Sequence, residues 1–230
     1  MEIQRNKVYA VITGDIVASS RLSSGNREKL YQIMVESSEF LRKAFEDAIQ
    51  IDVDIFRGDS WQMLLSKPEQ ALRLALFYRA MLRAKMESHR FNTRMAIALG
   101  CVDFIPAKRV SEGYGEAYKL SGRALESIPK ANNMCFVYAG NKQEKILDVV
   151  VQLIDAVSSR WSDKQALAVT GALRGWKQEK IAETWWKKKV SQQAVAQHLA
   201  RAGWYSVEKG IQFFELCLRK ELSENKHNSL

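Results

Sequence analysis

The sequence predicts a chain in two parts: an α/β (α+β) part with a mainly antiparallel sheet, then an all-helical part that contains a helix-turn-helix. Two observations lead to this fold class. Short runs of β-branched and aromatic residues alternate with long stretches of helical apolar periodicity up to about residue 139. Beyond that point only helical periodicity remains, interrupted by glycines. The predicted boundaries are 1–141 for the first domain, 142–160 for a connecting helix and 161–230 for the second domain.

The first part predicts the element order βαββαβ, followed by a further helix and strand. Apolar runs predict strands at about 7–13, 51–56, 61–65, 93–100 and 134–138. Helical periodicity predicts helices at about 27–49, from Pro68 onward and at 119–128, and residues 101–118 are expected to form a loop. This order is the split βαβ pattern of ferredoxin-like folds.

The second part is expected to contain helices only. Ser162 and Gln165 have the spacing of a capping box, which predicts a helix that runs to about Leu173. Further helices are predicted at 178–186 and 191–203, joined by a turn at 187–190. The amphipathic segment 142–160 is interpreted as a connection between the domains or as a dimer contact.

Composition bounds the class of protein. With 230 residues and 47% hydrophobic residues, the chain has enough apolar material for a core. No apolar run approaches the ~20 residues that cross a bilayer, and the N-terminal residues lack a signal-peptide apolar stretch. We therefore expect a cytoplasmic protein without a membrane partner. Three scattered cysteines indicate neither a disulfide framework nor a zinc site, and the net charge of +9 permits polyanion binding without requiring it.

Two carboxylates are the first candidates for chemistry. Asp15 follows the first predicted strand, and Asp59 lies in the turn of the predicted hairpin. If the fold places them a few ångströms apart, they repel by about 4 kcal/mol at the effective dielectric constant of a protein surface. A hard cation between them would offset this repulsion, with phosphate oxygens as further ligands. The alternative is that both Gly-Asp pairs are only turn residues.

A pair of cations on the helix at 119–128 is the second candidate. Lys119 and Arg123 are four residues apart and therefore lie on one helix face. They would grip a phosphate chain, or they form an ordinary solvated face.

These motifs together resemble those of class III nucleotidyl cyclases. Residues 15–19 resemble the first metal motif, residues 58–63 resemble the Gly-Asp hairpin, and residues 112–123 resemble the later segment with an acid, a glycine and an arginine. The same palm architecture occurs in diguanylate cyclases and many polymerases. The chain also resembles SatD-type bacterial proteins, a likeness that implies no particular activity.

The resemblance to the cyclases implies a role for each matched residue. Asp15, the carbonyl of Ile16 and Asp59 would bind Mg²⁺ or Mn²⁺. Arg123 and Lys119 would serve the phosphates during catalysis. The implied contacts to the nucleoside triphosphate come from Glu112, Ser19 and Gly58. The base is left open, because the family usually has asparagine at the position of Lys119 and lysine at that of Ile55. A homodimer is also implied.

The second part resembles a helix-turn-helix of the sigma-factor region 4 type, in residues 181–183 and 190–195. The segment from Arg174 to Lys209 contains eight Lys or Arg residues and three acids, and this surplus of positive charge suits contacts with DNA phosphates. Glutamines at the start of a recognition helix pair with adenine edges. The candidates for contacts with double-stranded DNA are Lys187, Lys188, Lys189, Ser191, Gln192, Gln193, Gln197, His198 and Arg201. The alternative is a small helical bundle with a solvated basic side.

The leading hypothesis is nucleotidyl-cyclase-like chemistry on a nucleoside triphosphate, joined to DNA binding. The alternative hypothesis is a non-enzymatic DNA-binding regulator of transcription whose first domain senses a nucleotide or dimerises. A third interpretation, a scaffold protein, predicts neither activity nor a cleft beside Asp15.

Overall fold

The computed structural model of the chain describes residues 4, 7–87, 91–105, 109–186 and 188–227. Its strands are β1 (Val8–Ile16), β2 (Asp54–Phe56), β3 (Ser60–Leu65), β4 (Thr93–Phe104), β5 (Tyr114–Gly115) and β6 (Met134–Val137). Its helices are α1 (Ser24–Ala44), α2 (Ala71–Met86), α3 (Glu116–Ser127), α4 (Glu144–Ser158), α5 (Asp163–Leu173), α6 (Gln178–Glu183), α7 (Gln192–Arg201) and α8 (Trp204–His227). Short 3₁₀ turns lie at Ser19–Arg21, Pro68–Gln70 and Val110–Glu112.

The sheet has the order β2-β3-β1-β4-β5, and these neighbours are antiparallel. β6 pairs with β4 in the parallel direction. The predicted element order and the mainly antiparallel sheet are therefore confirmed. β1 is central, between β3 and β4, which explains why its apolar residues are buried on both faces.

The bounds of several elements differ from those predicted. β2 begins at Asp54 rather than 51, and α1 covers Ser24–Ala44 rather than 27–49. Within the expected loop 101–118, β4 continues to Phe104 and the short strand β5 pairs with it. Gly115 makes this approach possible: at its φ of 147°, a Cβ atom would lie 2.8 Å from Cα of Val102. A strand of two residues has no periodicity to read.

The two faces of the sheet have different partners. Ala10, Ile12 and Ile16 point to the core that contains α1 and α2. Tyr9 and Val11 point to the opposite face, where they pack with residues of α3. This alternation follows from the two-residue side-chain period of a strand, and it decides which residues can share a site with Asp15.

The C-terminal helices pack directly on the α/β part. α5 packs on α2, and α8 contacts α4 and the Pro68–Gln70 turn. Phe214 of α8 meets Phe136 of β6 edge to face, with ring centroids 5.0 Å apart. Trp161, Phe214 and Ile12 belong to one continuous apolar core. None of the helices in the described ranges combines the length and the apolar character that a membrane crossing requires.

Two buried arginines of α2 fasten this junction. Arg79 donates from Nη1 to Oδ1 of Asp155 in α4 at 2.8 Å, and both side chains are almost fully buried. Arg83 donates to the backbone oxygens of Ser159 at 2.8 Å and Trp161 at 2.6 Å. Burial lowers the pKa of Arg83 to about 10. The backbone that enters α5 is thus held by side chains of the α/β part.

Candidate functional site

Asp15 lies near the end of β1, on the face of the sheet that α3 covers. In the sheet register it is opposite Ser60 of β3 and Arg94 of β4. Because side chains alternate along a strand, Asp15 shares its face with Thr13 and Tyr9. Its side chain is 23% exposed, so that solvent and small ligands can reach the carboxylate.

Arg94 holds the Asp15 carboxylate in a two-pronged ion pair. Nε of Arg94 donates to Oδ1 at 3.0 Å, and Nη2 donates to Oδ2 at 2.5 Å. These hydrogen bonds raise the pKa of the Arg94 guanidinium above its ordinary value. Each carboxylate oxygen retains acceptor capacity after one hydrogen bond. Asp15 is therefore positioned by Arg94 and can still accept a further ligand.

Asp59 reaches the same end of β1 through the turn between β2 and β3. Arg57 and Gly58 have positive φ values, 54° and 85°, which turn the chain back within three residues. The backbone oxygen of Asp59 accepts a hydrogen bond from the N–H of Ile16 at 3.2 Å. The Asp59 carboxylate accepts hydrogen bonds from the hydroxyls of Ser19 and, at 3.4 Å, Ser60.

The structure thus collects the predicted metal and nucleotide residues of the first motif and of the hairpin. The end of β1, with Asp15 and Ile16, adjoins Asp59, while Ser19 binds Asp59 directly and Gly58 is exposed in the turn. A hydrogen bond from Thr93 Oγ1 to the Asp15 backbone oxygen, at 2.6 Å, fixes this strand end.

A metal held by protein side chains alone does not fit this cluster. Among the described residues there is no group of three or more His, Cys, Asp or Glu side chains that could hold a metal ion. Mg²⁺, however, is commonly bound by one or two carboxylates together with substrate phosphates. The oxygen donors of Asp15, Asp59 and the Ile16 backbone fit a metal of that kind, which arrives with a phosphate ligand.

A buried polar row fixes α3 against this face. Thr13 Oγ1 and Ser121 Oγ of α3 are 2.8 Å apart. Gln62 donates from Nε2 to the same Thr13 oxygen at 2.7 Å. Because the hydrogen bonds join β1, β3 and α3, they set which side of α3 faces the sheet.

Lys119 and Arg123 lie on the exposed side of α3. Residues two positions apart on a helix point about 200° apart, and Ser121, midway between the two cations, faces β1. Neither cation has a hydrogen bond or ion pair with another described residue. Within one chain, the structure therefore does not direct these cations toward Asp15.

Glu112 lies in a segment that docks on β2. Its carboxylate pairs with Arg109 at 3.2 Å and is exposed. The neighbouring Ser111 donates from its backbone N–H to Asp54 at 3.0 Å, and its hydroxyl also binds that carboxylate. Arg109 approaches the same Asp54 oxygen at 3.6 Å. The exposed acid is thus held at the surface by a local set of ionic contacts.

The sequence-based reasoning missed Arg94 and Asp54. Arg94 is the second residue of β4, a strand that is otherwise largely apolar, and that is the signal which could have singled it out. Its pairing with Asp15 could not be predicted from the sequence, because it depends on the register between strands that are distant in the chain. Asp54 was read only as part of a strand, although its alternation places it on the same face as Gln62 and Thr13.

The DNA-contact candidates gather around α7. Ser191 caps this helix by accepting a hydrogen bond from the N–H of Ala194 at 3.2 Å. Gln192, Gln193, Gln197, Arg201, Lys188 and Lys189 are exposed. His198 is half-buried and stacks on Trp185, with ring centroids 5.6 Å apart. Lys187 lies outside the described residues.

Comparison with solved structures finds similarity to nucleotidyl cyclase domains. A bacterial light-regulated adenylyl cyclase matches with 16% identity over 56% of this chain and 74% of that chain, with a TM-score of 0.42. The guanylyl cyclase Cya2 matches with 13% identity over 59% of this chain and 77% of its own, with a TM-score of 0.40. The guanylate cyclase domain of RhGC from Catenaria anguillulae, solved with GTP, matches with 14% identity, covering 56% of this chain and 78% of that one at a TM-score of 0.40.

No protein-family model matches the sequence. No curated protein matches it either.

Proposed function

We propose that the α/β part binds a nucleoside triphosphate together with Mg²⁺ or Mn²⁺ and performs nucleotidyl-cyclase-like chemistry. The observation that carries the proposal is the convergence of the two motifs at one end of the sheet: the N–H of Ile16 donates to the backbone oxygen of Asp59, and Asp15 lies opposite Ser60, the residue after Asp59. The two acids come from separate parts of the chain, and both are oriented by hydrogen bonds from neighbouring side chains. Such preorganised carboxylates suit a cation that neutralises phosphate charge.

Each residue of the cluster would have one task. Asp15, Asp59 and the Ile16 carbonyl would hold the metal, which when bound supplies charge neutralisation and activates the ribose 3′-hydroxyl. Arg94 would keep the Asp15 carboxylate in place through its two hydrogen bonds. Ser19 would orient Asp59, and the exposed Gly58 turn would allow close approach of the nucleotide. Glu112 would contact the base.

We further propose that the active form is a homodimer in which Lys119 and Arg123 serve the site of the other copy. Both cations are exposed, and they point away from the sheet of their own chain. A second chain that presents its α3 to the Asp15 end would bring two positive charges to the phosphates. Charge stabilisation of this kind lowers the barrier of phosphoryl and nucleotidyl transfer.

The first experiment tests metal-dependent binding and turnover. Purified full-length chain is titrated with ATP and with GTP, in Mg²⁺, in Mn²⁺ and after EDTA treatment, and products are followed by chromatography. Asp59→Asn should weaken metal-dependent binding by more than about tenfold, the lower end of the cost of losing even an outer-shell partner of a metal. Asp52→Asn is the matched control, because Asp52 is exposed and pairs with Arg42. Binding that survives in Asp59→Asn would refute the site.

The second experiment tests the shared site. Asp59→Asn and Arg123→Ala are each expected to be inactive. If they are mixed in equal amounts and exchange subunits, half of the dimers are mixed, and each mixed dimer has one intact site. The mixture should then regain about a quarter of the wild-type activity, by the symmetry of a two-fold dimer. If the mixture stays inactive although subunits exchange, the two residues do not act across an interface.

The alternative function, DNA binding by α7, is favoured by one observation. The start of α7 carries exposed Gln192 and Gln193, next to exposed Lys188 and Lys189. Contacts with phosphates would make binding weaken as salt rises. Fluorescence anisotropy with a labelled duplex at two salt concentrations tests this. Binding that is unchanged by Lys189→Glu combined with Gln193→Ala would exclude α7 as the reader, with Lys130→Glu as the charge control.

A further inference from the structure

An aromatic pocket lies between the α/β part and the C-terminal helices, away from Asp15. It is bounded by α1 and α2 on one side and by α5, α6 and the residues after them on the other, and its volume is about 340 Å³. Its walls include Phe40, Phe77, Trp176, Trp185 and Trp186. Small-molecule sites in proteins are typically of this kind, apolar and aromatic with few polar groups, and often lie between domains.

One positive charge in this pocket has no counter-ion among the described residues. The guanidinium of Arg174 lies 3.8 Å from the ring centroid of Trp176 and 5.0 Å from that of Phe40. These contacts hold the cation by stacking. Among the described residues, the Arg174 side chain has neither a hydrogen-bond acceptor nor an acidic partner. Its N–H donors therefore remain available to a ligand.

The lining also contains one lysine and one acid, Lys85 and Glu36, which neutralise each other. Lys85 pairs with Glu36 at 2.7 Å. The electrostatic preference of the pocket thus comes from Arg174 alone, and burial lowers the pKa of this guanidinium without removing its charge. A carboxylate binds such a group through two parallel hydrogen bonds, a geometry that a lysine ammonium does not offer.

We propose that this pocket binds a small aromatic carboxylate, whose ring packs among the tryptophan and phenylalanine side chains while its carboxylate pairs with Arg174. The occupant is a free small molecule because the pocket volume of about 340 Å³ lies at the lower end of the range found for small-molecule sites, which leaves room for one or two rings. Aromatic rings in offset or edge-to-face contact with the walls would add to the affinity.

This site is independent of the nucleotide site. It lies on the side of α1 and α2, whereas Asp15 lies on the face that α3 covers. A ligand here touches α2 of the first part and α6 of the second at once. Because it binds the folded chain only, it should raise the unfolding midpoint, with a stabilisation that grows as the logarithm of its concentration above Kd.

The experiment uses 2-naphthoate and its uncharged counterpart 2-naphthamide as probes in calorimetric titrations of the full chain. The carboxylate should bind at least tenfold more tightly than the amide, because hydrogen bonds to a charged group are worth roughly one to two powers of ten in affinity. Arg174→Gln should remove this preference. Lys177→Gln, which removes one exposed positive charge near the pocket but not from its lining, should leave both affinities unchanged.

A second variant, which blocks the pocket, distinguishes a specific loss of binding from a folding defect in Arg174→Gln. Thr184 is exposed at the pocket, so Thr184→Trp should fill it without disturbing the core, and naphthoate binding should fall at least tenfold. Three results would overturn the proposal: no naphthoate binding at millimolar concentration, equal affinities for acid and amide, or full naphthoate binding by both variants.

Discussion

The strongest quantitative test of the fold concerns the buried ion pair between α2 and α4. Asp155 is 3% exposed and accepts hydrogen bonds from Arg79 at 2.8 Å and from the backbone N–H groups of Asn133 at 2.6 Å and Met134 at 3.2 Å. In Asp155→Asn the amide oxygen keeps part of this hydrogen bonding. The negative charge is lost, however, and Arg79, itself 1% exposed, becomes an uncompensated buried cation.

The expected cost follows from that loss. Removing one partner of a buried ion pair destabilises a protein by about 3–5 kcal/mol. Since an amide retains some of the contacts, we expect about 3 kcal/mol for Asp155→Asn, the lower end of that range. At an m-value of roughly 2–3 kcal/mol/M, the midpoint of urea unfolding should fall by about 1–1.5 M.

Asp148→Asn in the same helix is the matched control. Asp148 accepts hydrogen bonds from the backbone N–H of Phe136 at 2.8 Å and from the Gln152 side chain at 2.6 Å, is half-buried and has no buried cation as a partner in the described part of the chain. Its replacement should cost about 1 kcal/mol. A double-mutant cycle with Arg79→Met isolates the pair term, because Asp155→Asn should be much less harmful in that background. If both aspartates cost the same, or if Arg79→Met changes nothing, the reasoning is refuted.

Two further outcomes follow from single positions. Gly14→Ala places a Cβ atom 2.5 Å from Cε2 of Trp61, so we expect the free energy of unfolding in urea to fall by about 1–3 kcal/mol. The control is Gly25→Ala in α1, where the space around the new Cβ is open and the protein should be stabilised by about 0.5–1 kcal/mol. Equal effects of the two substitutions would contradict the packing argument. Burial, and then two nearby cations, lower the pKa of His198, which stacks on Trp185, below the ordinary 6.5. The unfolded chain therefore binds this proton more readily, and the wild type should lose stability relative to His198→Gln as the pH falls below about 6.5. Thermal melts of both proteins at pH 7.5 and 5.5 test this, and a difference in Tm between the two proteins that is the same at both pH values would contradict it.

The α/β part could be predicted well because its signals are local. The first strand is a continuous run of apolar residues from Tyr9 to Ile12, all buried in the central strand. Helix α1 repeats its apolar residues at three- and four-residue spacing, and Leu30, Ile33, Met34 and Leu41 are buried accordingly. Such periodicities depend only on the geometry of the helix and the strand.

The candidate site could be predicted in part. A strand-end acid and a Gly-Asp turn are readable in sequence, and the structure brings Ile16 and Asp59 into direct contact. The partner of Asp15 was not readable, because Arg94 is its neighbour only through the register of β1 on β4. That register is set by the burial of the whole apolar face of the sheet, because a slip of one residue would move every side chain of the strand to the opposite face.

The sequence alone determined the approximate positions of the long strands and helices, and which turns carry the two acids, since these properties arise from neighbouring residues; the short strand β5 and the end of β4 were not among them. Tertiary structure alone decided that Arg94 holds Asp15, that the two cations of α3 face outward and that Arg174 enters an aromatic pocket. The physical reason is that helix rotation, strand register and the packing of α5 on α2 are fixed by burying apolar surface across the whole chain, which no single segment encodes.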